Sequence, residues 1–502
     1  MKTYDVAIIG GGHNGLACGA LLAKSGRSVA IFERSSEIGG AAITESPWPG
    51  YTVSAASYVC SLLDPELVQS LDLHSHGYHA YRKDPASFTP LGDGRSLLLG
   101  QDAEANAREI SGFCRDDVAG FSQFERIASQ LGSELFETFE DADPQFDRFS
   151  RQTQAMLRTS AADLVERCVQ TPVLQATLAT DGLIGTFAGP RSPGTGYVLA
   201  HHYAGRAMGA QGAWGFVRGG MGSISRALAS SALANGAQIF TDSPVARVVV
   251  REGRASHIVL HDGTLIGAKA IASNAHPVAT FLEFLEDRVL DEIFLQRVRN
   301  WKSTGPSLKV NFALGELPNF SCRPGSNPQA HHRATIHVAP TIEYLQTAFE
   351  DGIAGRVSRA PMLECFMQTP TDPSLAPPGK HILSVFAQYY PYDRADGWTE
   401  RAREEAADRI VSLLAQYAPN IPGAIEARQV LSPLDLEQRF GLAGGHIFHG
   451  ELLPGQIYED RFATRTPLAG LYLCGSGAHP GGCVSGFPGK RAAAAIQADL
   501  NA

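Results

Sequence analysis

The chain has 502 residues, of which 44% are hydrophobic and 19% are charged, so it has enough apolar material for a large buried core. Its 42 basic and 51 acidic side chains give a net charge of −9 and are scattered along the sequence. This composition excludes a disordered tail and argues against a nucleic-acid-binding protein, which needs a concentrated basic surface.

The first structure predicted along the chain is a βαβ unit. An apolar run at 6–9 is typical of a buried parallel strand and leads directly into a glycine-rich turn at 10–15. Apolar residues then recur at helical spacing as far as Gly26, and a second strand at 29–32 ends beside Glu33. Strand, glycines, helix, strand and acidic residue in this order predict a dinucleotide-binding site.

Three glycines carry the spacing of this motif: Gly10, Gly12 and Gly15. The first permits the tight turn, the second lets the backbone approach a pyrophosphate at the helix N-terminus, and the third lets helix and strand pack closely. Glu33 lies 23 residues after Gly10, where its carboxylate can accept hydrogen bonds from an adenosine ribose. Arg34 can be interpreted as a ligand for the 2′-phosphate of NADP or as a solvated arginine. Because Glu33 would repel that phosphate, NADP is not expected.

The remaining elements fall into two groups. Helical segments are predicted within 55–210, for instance at 102–135 and 157–178. A mixed region follows, with a helix at 224–234, strands at 237–240, 245–250 and 257–260, and a strand at 269–272. A second sheet is predicted from strands at 308–314, 334–338, 362–368 and 382–387. An amphipathic helix headed by Thr399 follows. Near the end of the chain, a strand at 471–474 precedes a closing helix at 489–498. We expect a cofactor-binding domain from 1–75, 211–300 and 440–502, and a substrate-binding, partly helical domain from 76–210 and 301–439.

Several longer motifs resemble a known family. Ile38-Gly39-Gly40-Ala41-Ala42-x-Thr44, Arg218-Gly219-Gly220-Met221-Gly222, Ser273-Asn274-Ala275 and the glycine-rich stretch at 470–489 resemble flavin amine oxidases and phytoene desaturases. Ala56-Ser57-Tyr58-Val59, Trp214-Gly215-Phe216-Val217 and the run at 444–451 look like the phytoene-desaturase-like branch named pyridine nucleotide-disulphide oxidoreductase domain-containing proteins. The resemblance implies an α/β fold in which a Rossmann-like FAD-binding domain of the glutathione-reductase and flavin amine oxidase type is interleaved with a mixed α+β substrate domain. It also implies that the cofactor is FAD.

The same resemblance implies which residues hold FAD. The residues expected to bind the cofactor are Gly10, Gly12, Gly15, Glu33, Arg34, Gly40, Ala41, Val245, Gly475, Gly481, Gly482 and Val484. The N-terminal members would hold the ADP part, with the backbone at Val245 flanking the adenine. The C-terminal members would line the ribityl chain and the flavin ring, because small residues allow close backbone approach.

Three residues are candidates for a catalytic role. Lys309 matches the position of the lysine that binds a water near flavin N5 in flavin amine oxidases; the alternative is a surface lysine at the end of a strand. His446 and His449 lie in a segment that resembles the family's loop near the substrate cavity. Either can be a general base or a structural histidine bonded to the backbone. Although Glu451 is nearby, the spacing lacks the further ligands of a zinc site, so no metal is expected.

Two kinds of redox chemistry are not supported by the sequence. A disulphide reductase needs a cysteine pair soon after its flavin glycines, but alanines follow Gly40 and the next cysteine is Cys60. The eight cysteines include no CxxC pair, which fits a reducing cytosol better than a disulfide framework. No second glycine motif is apparent for NAD(P)H. Electrons are therefore expected to enter from an organic substrate and to leave to oxygen, a quinone or another carrier.

The function expected from the resemblance is an FAD-dependent oxidase or dehydrogenase that desaturates or oxidises a largely apolar small molecule. One alternative is a flavin amine oxidase, and another is a non-catalytic prenyl- or lipid-binding escort with the fold of GDP-dissociation inhibitors. No secretory signal and no membrane-spanning helix are expected, so the predicted location is cytoplasmic, with peripheral membrane contact left open. No nucleic-acid partner is expected, and the oligomeric state is left open.

Overall fold

The computed structural model describes residues 2–502 and contains two seven-stranded sheets. The strands are β1 (Lys2–Ile9), β2 (Val29–Phe32), β3 (Thr44–Trp48), β4 (Tyr51–Ser54), β5 (Ala80–Arg82), β6 (Ser87–Pro90), β7 (Ser96–Leu99), β8 (Gly215–Val217), β9 (Gln238–Phe240), β10 (Val245–Arg251), β11 (Arg254–Leu260), β12 (Leu265–Ser273), β13 (Leu308–Leu314), β14 (Thr335–Val338), β15 (Met362–Phe366), β16 (His381–Gln388), β17 (Ile425–Leu431) and β18 (Leu471–Leu473).

Helices fill the intervals between these strands. They are α1 (His13–Lys24), α2 (Pro65–Ser70), α3 (Ala103–Ser111), α4 (Asp117–Phe136), α5 (Arg151–Arg158), α6 (Ala161–Glu166), α7 (Pro172–Ala179), α8 (Thr195–His202), α9 (Gly222–Ala234), α10 (Glu292–Arg299), α11 (Ile342–Ile353), α12 (Glu400–Ala415), α13 (Ile421–Ala424), α14 (Pro433–Phe440) and α15 (Phe487–Asn501). Within residues 2–502, none of these helices is both long and apolar enough to cross a membrane.

The first sheet carries the predicted βαβ unit. Its order is β10-β11-β12-β1-β2-β9, with β18 also paired to β12, and β1 is parallel to both β2 and β12. Alternate residues of β1 point to opposite faces. Val6 and Ile8 therefore pack with α1, α9 and α15, whereas Ala7 and Ile9 pack on the other face with residues of β10 and β11. Burial on both faces explains the continuous apolar run of β1 from Val6 to Ile9.

The second sheet has the order β17-β13-β16-β15-β14-β6-β7, and only the β14–β6 pair is parallel. Val310 and Phe312 of β13 pack in a core with Ile410 and Leu414 of α12. Because side chains alternate along a strand, Lys309 and Asn311 of β13 lie on the opposite face of this sheet. That face borders the cavity described below.

Some elements differ from the sequence prediction. The interval 55–210 is not purely helical, because β6 and β7 join the second sheet and β5 pairs with β8. The segments predicted at 102–135 and 157–178 are also broken into shorter helices: α4 begins at Asp117 in the first, and in the second Ser160 caps α6 and Pro172 begins α7. Every strand of the first sheet comes from the segments expected to form the cofactor domain, and every strand of the second comes from the other two segments. This distribution supports the two-domain division, which we retain as a proposal.

Candidate functional site

The glycine-rich turn joins β1 to α1 through backbone that only glycine accommodates well. Gly10 has φ +98° and donates its N–H to the carbonyl of Phe32 at 2.8 Å. A Cβ on Gly12 would lie 2.6 Å from Asn274 Nδ2, and a Cβ on Gly15 would lie 2.3 Å from the Gly10 carbonyl oxygen. Gly12 is the N-cap of α1 and supplies no side chain to cap the helix. The free N–H groups of the first turn are therefore available to an anionic ligand.

Glu33 lies directly after β2 beside this turn and is only 7% exposed. Its Oε2 accepts the N–H of Gly11 at 2.7 Å, and its Oε1 accepts the N–H of Ser35 at 2.9 Å. These bonds fix the carboxylate on the cavity wall while each oxygen retains a further acceptor position. The arrangement fits a carboxylate that accepts hydrogen bonds from ligand hydroxyl groups.

A single cavity of about 930 Å³ borders most of the expected cofactor-binding residues. Its wall includes Gly10, Gly12, Glu33, Arg34, Gly40, Ala41, Val245 and Val484. Arg34 also donates from Nη2 to the carbonyls of Gln438 and Arg439, at 3.3 and 3.0 Å, near the end of α14. Cations near a helix C-terminus are favoured by the exposed carbonyls, so α14 itself accounts for the orientation of Arg34.

Four of the expected glycines lie behind the cavity wall and act through packing. Besides Gly15, a Cβ on Gly475 would lie 2.7 Å from the Asn274 carbonyl oxygen, and one on Gly481 would lie 2.7 Å from Leu452 Cδ2. A Cβ on Gly482 would lie 2.1 Å from Phe448 Cδ1. Close packing at these glycines brings the backbone and side chains of their neighbours Ser476, Cys483 and Val484 to the wall.

Several buried polar atoms on the same wall have no partner within the described residues. They are His13 Nε2, Asn14 Oδ1, His276 Nε2, Ser307 Oγ and His449 Nδ1. Buried polar atoms are normally hydrogen-bonded, so these five indicate a polar ligand. Together with the glycine turn and Glu33, they fit the phosphates, hydroxyls and ring edges of FAD.

Lys309 is buried, with 2% of its surface exposed, so the alternative of a surface lysine is wrong. Its Nζ donates to Ser384 Oγ at 2.6 Å and to Asn311 Oδ1, and it lies 5.7 Å from the centre of the Tyr58 ring. Burial lowers the pKa of Lys309 to about 7, against a smaller opposing effect of Glu45. An ammonium group has three donors, so one remains for a water or a ligand on the cavity side.

The two histidine candidates have different surroundings. His446 is fully buried behind the wall, where its Nδ1 accepts the N–H of Phe448 at 3.2 Å and its Nε2 lies 3.4 Å from Glu451 Oε1. Glu451 also accepts hydrogen bonds from Thr186 Oγ1 and the N–H of Phe187. These contacts fit a structural histidine.

His449 lines the cavity, with φ +56° and its carbonyl accepting from Trp301 Nε1 at 2.8 Å. Its ring centre lies 5.2 Å from that of His276. Burial, followed by the charge of Arg461, lowers the pKa of His449 to about 3. The ring is therefore neutral at physiological pH and can act as a hydrogen-bonding group on the wall.

The structure also brings together polar residues that the sequence analysis missed. Lys83, Glu125, Asp181 and Glu364 all line the cavity, and we call them the Lys83 cluster. Burial lowers the pKa of Lys83 to about 8 and raises that of Asp181 to about 7, the latter with a further contribution from Glu364. These four residues come from distant parts of the chain, and no short motif marks them.

The cysteines show no arrangement for dithiol chemistry at the cavity. Within residues 2–502 all eight cysteines are free, and only Cys483 contributes to the cavity wall. Burial raises the pKa of the Cys483 thiol to about 12, so it remains protonated at neutral pH.

Comparison with known proteins places these features in a family. Residues 15–497 match the family described as flavin containing amine oxidoreductase. The mouse protein named pyridine nucleotide-disulfide oxidoreductase domain-containing protein 2 is 40% identical over 99% of this chain and 94% of its own. One limonene dehydrogenase subunit of Castellaniella defragrans is 27% identical over 100% and 95% of the two chains. Phytoene desaturase (lycopene-forming) of Pseudescherichia vulneris is 26% identical over 98% of each.

Among solved structures, a double mutant of putrescine oxidase superposes with a TM-score of 0.67 over 99% of each chain at 18% identity. This similarity concerns the fold alone. The family match and this superposition confirm the expected resemblance and the FAD-binding α/β fold. The family match also confirms FAD as the cofactor.

Proposed function

The chain belongs to the flavin containing amine oxidoreductase family, and on that premise we propose that this FAD-dependent oxidoreductase desaturates or oxidises a largely apolar organic small molecule. FAD supplies the two-electron acceptor for a hydride from substrate carbon. The protein supplies binding, orientation and a site that excludes water.

The observation that carries the proposal is the composition of the cavity wall beyond the dinucleotide-binding turn. Apolar and aromatic side chains from several elements line it, including Leu178, Ile184, Phe366, Phe386 and Ile447. Such a wall favours an apolar ligand, because burial of apolar surface is the main attraction available there. The same cavity reaches Gly10 and Glu33, so substrate and cofactor would share one cavity.

The relatives support the same class of substrate. Limonene and phytoene, named in two of the relatives, are both hydrocarbons. Identity of 26–27% over nearly the whole chain is compatible with a different substrate, so the proposal extends only to the chemical class.

We propose roles for individual residues on this basis. Glu33 would accept hydrogen bonds from the adenosine ribose, and the N-terminus of α1 would face the pyrophosphate. Val245, at the first position of β10, would flank the adenine through its main chain. Lys309 would hold a water beside the flavin and assist electron delivery to oxygen, while His449 would donate or accept a hydrogen bond as a neutral imidazole.

The proposal is tested by anaerobic titration of the purified holoprotein with isoprenoid, alicyclic and amine compounds while the visible flavin spectrum is recorded. Bleaching by isoprenoid or alicyclic compounds is the expected result. Bleaching by amines alone would replace the proposal with amine oxidation. A colourless protein that does not take up added FAD would contradict the oxidoreductase function altogether and would favour the escort alternative.

A further inference from the structure

The Lys83 cluster places charged side chains in the part of the cavity wall that also carries the apolar ring of Phe366. Lys83 is 7% exposed and Glu364 is 3% exposed, although both line the cavity. Lys83 Nζ donates to the Thr335 hydroxyl and lies 5.3 Å from the centre of the Phe366 ring. Among residues 2–502, no carboxylate oxygen comes within 4.0 Å of this ammonium group. Two of its three donors are thus left for a ligand.

The carboxyl groups of the cluster also make few hydrogen bonds within the protein. Glu364 Oε1 lies 3.2 Å from His337 Nε2, and its Oε2 has no hydrogen-bond partner within residues 2–502. Glu125 Oε1 accepts from the Tyr203 hydroxyl at 3.0 Å. Asp181 makes no side-chain hydrogen bond or ion pair with the described residues. A pure hydrocarbon placed here would leave these donors and acceptors desolvated and unpaired, which is unfavourable.

The charges of the Lys83 cluster indicate which polar group of a ligand would bind there. An anionic group would be attracted by Lys83 but would face three carboxyl groups, those of Glu125, Asp181 and Glu364. A cationic group would be attracted by the carboxyl groups but repelled by the Lys83 ammonium. A hydroxyl group accepts a hydrogen bond from the ammonium and donates one to a carboxylate, so it satisfies both kinds of partner without adding charge.

Two aromatic rings lie between the cluster and Lys309. The centres of the Tyr58 and Phe366 rings are 4.4 Å apart. Lys309 Nζ lies near the Tyr58 ring, and Lys83 Nζ lies near the Phe366 ring. An elongated ligand lying along these rings would have an apolar middle and a polar end at Lys83.

We propose that the Lys83 cluster binds a hydroxyl group of an otherwise apolar substrate and thereby selects alcohols over the parent hydrocarbons. This inference rests on the proposed function, because it specifies the polar end of the same substrate. Lys83 would be a specificity-determining residue that contacts the substrate away from the reacting carbon.

The test uses four compounds with one carbon skeleton: limonene, perillyl alcohol, perillylamine and perillic acid. They are titrated by calorimetry into holoprotein that has been reduced with dithionite, because the reduced cofactor cannot accept a hydride and no turnover interferes. We expect the alcohol to bind about 10-fold more tightly than the hydrocarbon, and more tightly than the amine or the acid. Equal binding of alcohol and hydrocarbon, or tighter binding of the amine or acid, would overturn the inference even if oxidised holoprotein is bleached by apolar compounds.

Lys83→Met retains most of the side-chain volume and removes the ammonium group. We expect it to reduce the preference for the alcohol to less than about 3-fold while the affinity for limonene stays the same. Lys302→Met is the matched control, since Lys302 is exposed and lies outside the cavity wall, and it should leave all four affinities unchanged. A uniform weakening of all four compounds by Lys83→Met would contradict a specific role. If that variant loses its FAD, the comparison of the four compounds on the unaltered protein still decides the question.

Discussion

At the scale of single residues, Glu33 couples the glycine turn to the proposed ribose site. Its two oxygens already accept backbone N–H groups, so the carboxylate is held before any ligand arrives. Glu33→Gln keeps the shape of the side chain but removes its charge. It also replaces one oxygen acceptor with an NH2 group, which would face a backbone N–H group. We expect the Kd for FAD to rise by about 10-fold, since hydrogen bonds to charged groups contribute about 1.5–3 kcal/mol.

The measurement for Glu33 is the ratio of flavin absorbance to protein after dialysis against known concentrations of FAD. Glu137→Gln is a suitable control because Glu137 is an exposed acid outside the cavity wall. Full flavin retention by Glu33→Gln under conditions that also leave the control saturated would contradict the proposed ribose contact.

Lys309 provides a prediction with a defined pH dependence. Because burial lowers its pKa to about 7, the side chain is an ammonium group below that pH and becomes neutral as the pH rises through it. If the ammonium assists electron delivery to oxygen, the second-order rate of flavin reoxidation should fall as the pH is raised from about 6 to about 8. In Lys309→Met the flavin should be reoxidised slowly, and the rate should no longer change between pH values of about 6 and about 8.

The rate is measured by stopped-flow mixing of the reduced holoprotein with oxygenated buffer. An artificial one-electron acceptor serves as a control, because its reduction does not need a water held at Lys309. An unchanged oxygen rate and pH profile in Lys309→Met would contradict the proposed role.

At the scale of elements, Gly482 determines how closely the glycine-rich stretch at 470–489 approaches the segment at 446–450. A Cβ at this position would lie 2.1 Å from Phe448 Cδ1 and 2.6 Å from Phe448 Cα, and the Cα cannot move without shifting the main chain. Gly482→Ala is therefore expected to lower the free energy of unfolding by about 2 kcal/mol or more and to reduce FAD content.

Gly423→Ala is the matched control for Gly482→Ala. No atom lies within 4 Å of the added Cβ at Gly423, and this glycine has no positive φ. Thermal unfolding of both variants, followed with bound FAD, measures the difference. Gly423→Ala should be neutral or slightly stabilising, and equal behaviour of the two variants would show that the close approach at Phe448 has no energetic consequence.

The strands and helices differ in how well the sequence predicts them. The strand predicted at 308–314 has the same bounds as β13, because its alternate residues Leu308, Val310, Phe312 and Leu314 are apolar and pack in one core. The N-cap and the amphipathic pattern predict the helix headed by Thr399, and the Thr399 hydroxyl accepts the N–H of Ala402. The four-residue strands β6 and β7 are too short for periodicity to distinguish, and they join the second sheet only through the pairing of β6 with β14, more than 200 residues later.

The residues of the site also differ in how well the sequence predicts them. Local motifs predict Gly10, Gly12 and Glu33, because the turn and its acidic partner lie within one βαβ unit. Lys83, Asp181 and Glu364 reach the same cavity wall only through tertiary packing, so no local pattern predicts them. Asn274 belongs to the Ser273-Asn274-Ala275 motif, but its contact with Gly12 depends on the pairing of β12 with β1.

At the scale of the whole molecule, Arg461 joins the segments that close the cavity. It is buried, and its guanidinium donates to the carbonyls of five residues: Phe448, Glu451, Gln456, Ser476 and Ala478. Burial lowers the pKa of Arg461 to about 10, which leaves the group charged at neutral pH. The segments that it joins carry the cavity residues Phe448 and Ser476. One buried side chain therefore holds two separate parts of the cavity wall in place.

Removal of this guanidinium should therefore affect folding and cofactor binding together. Arg461→Met leaves five carbonyls without their donor in a buried environment, and we expect a loss of about 3 kcal/mol or more in the free energy of unfolding, with partial loss of FAD. Arg461→Lys should retain only part of the stability, because an ammonium group has three donors and cannot reproduce the planar fork. Arg333→Met, at an exposed arginine, is the control. Denaturant unfolding with and without excess FAD separates the two effects: if the loss of stability persists when FAD is saturating, Arg461 acts on the fold itself, whereas full recovery would mean that its contribution depends on the cofactor.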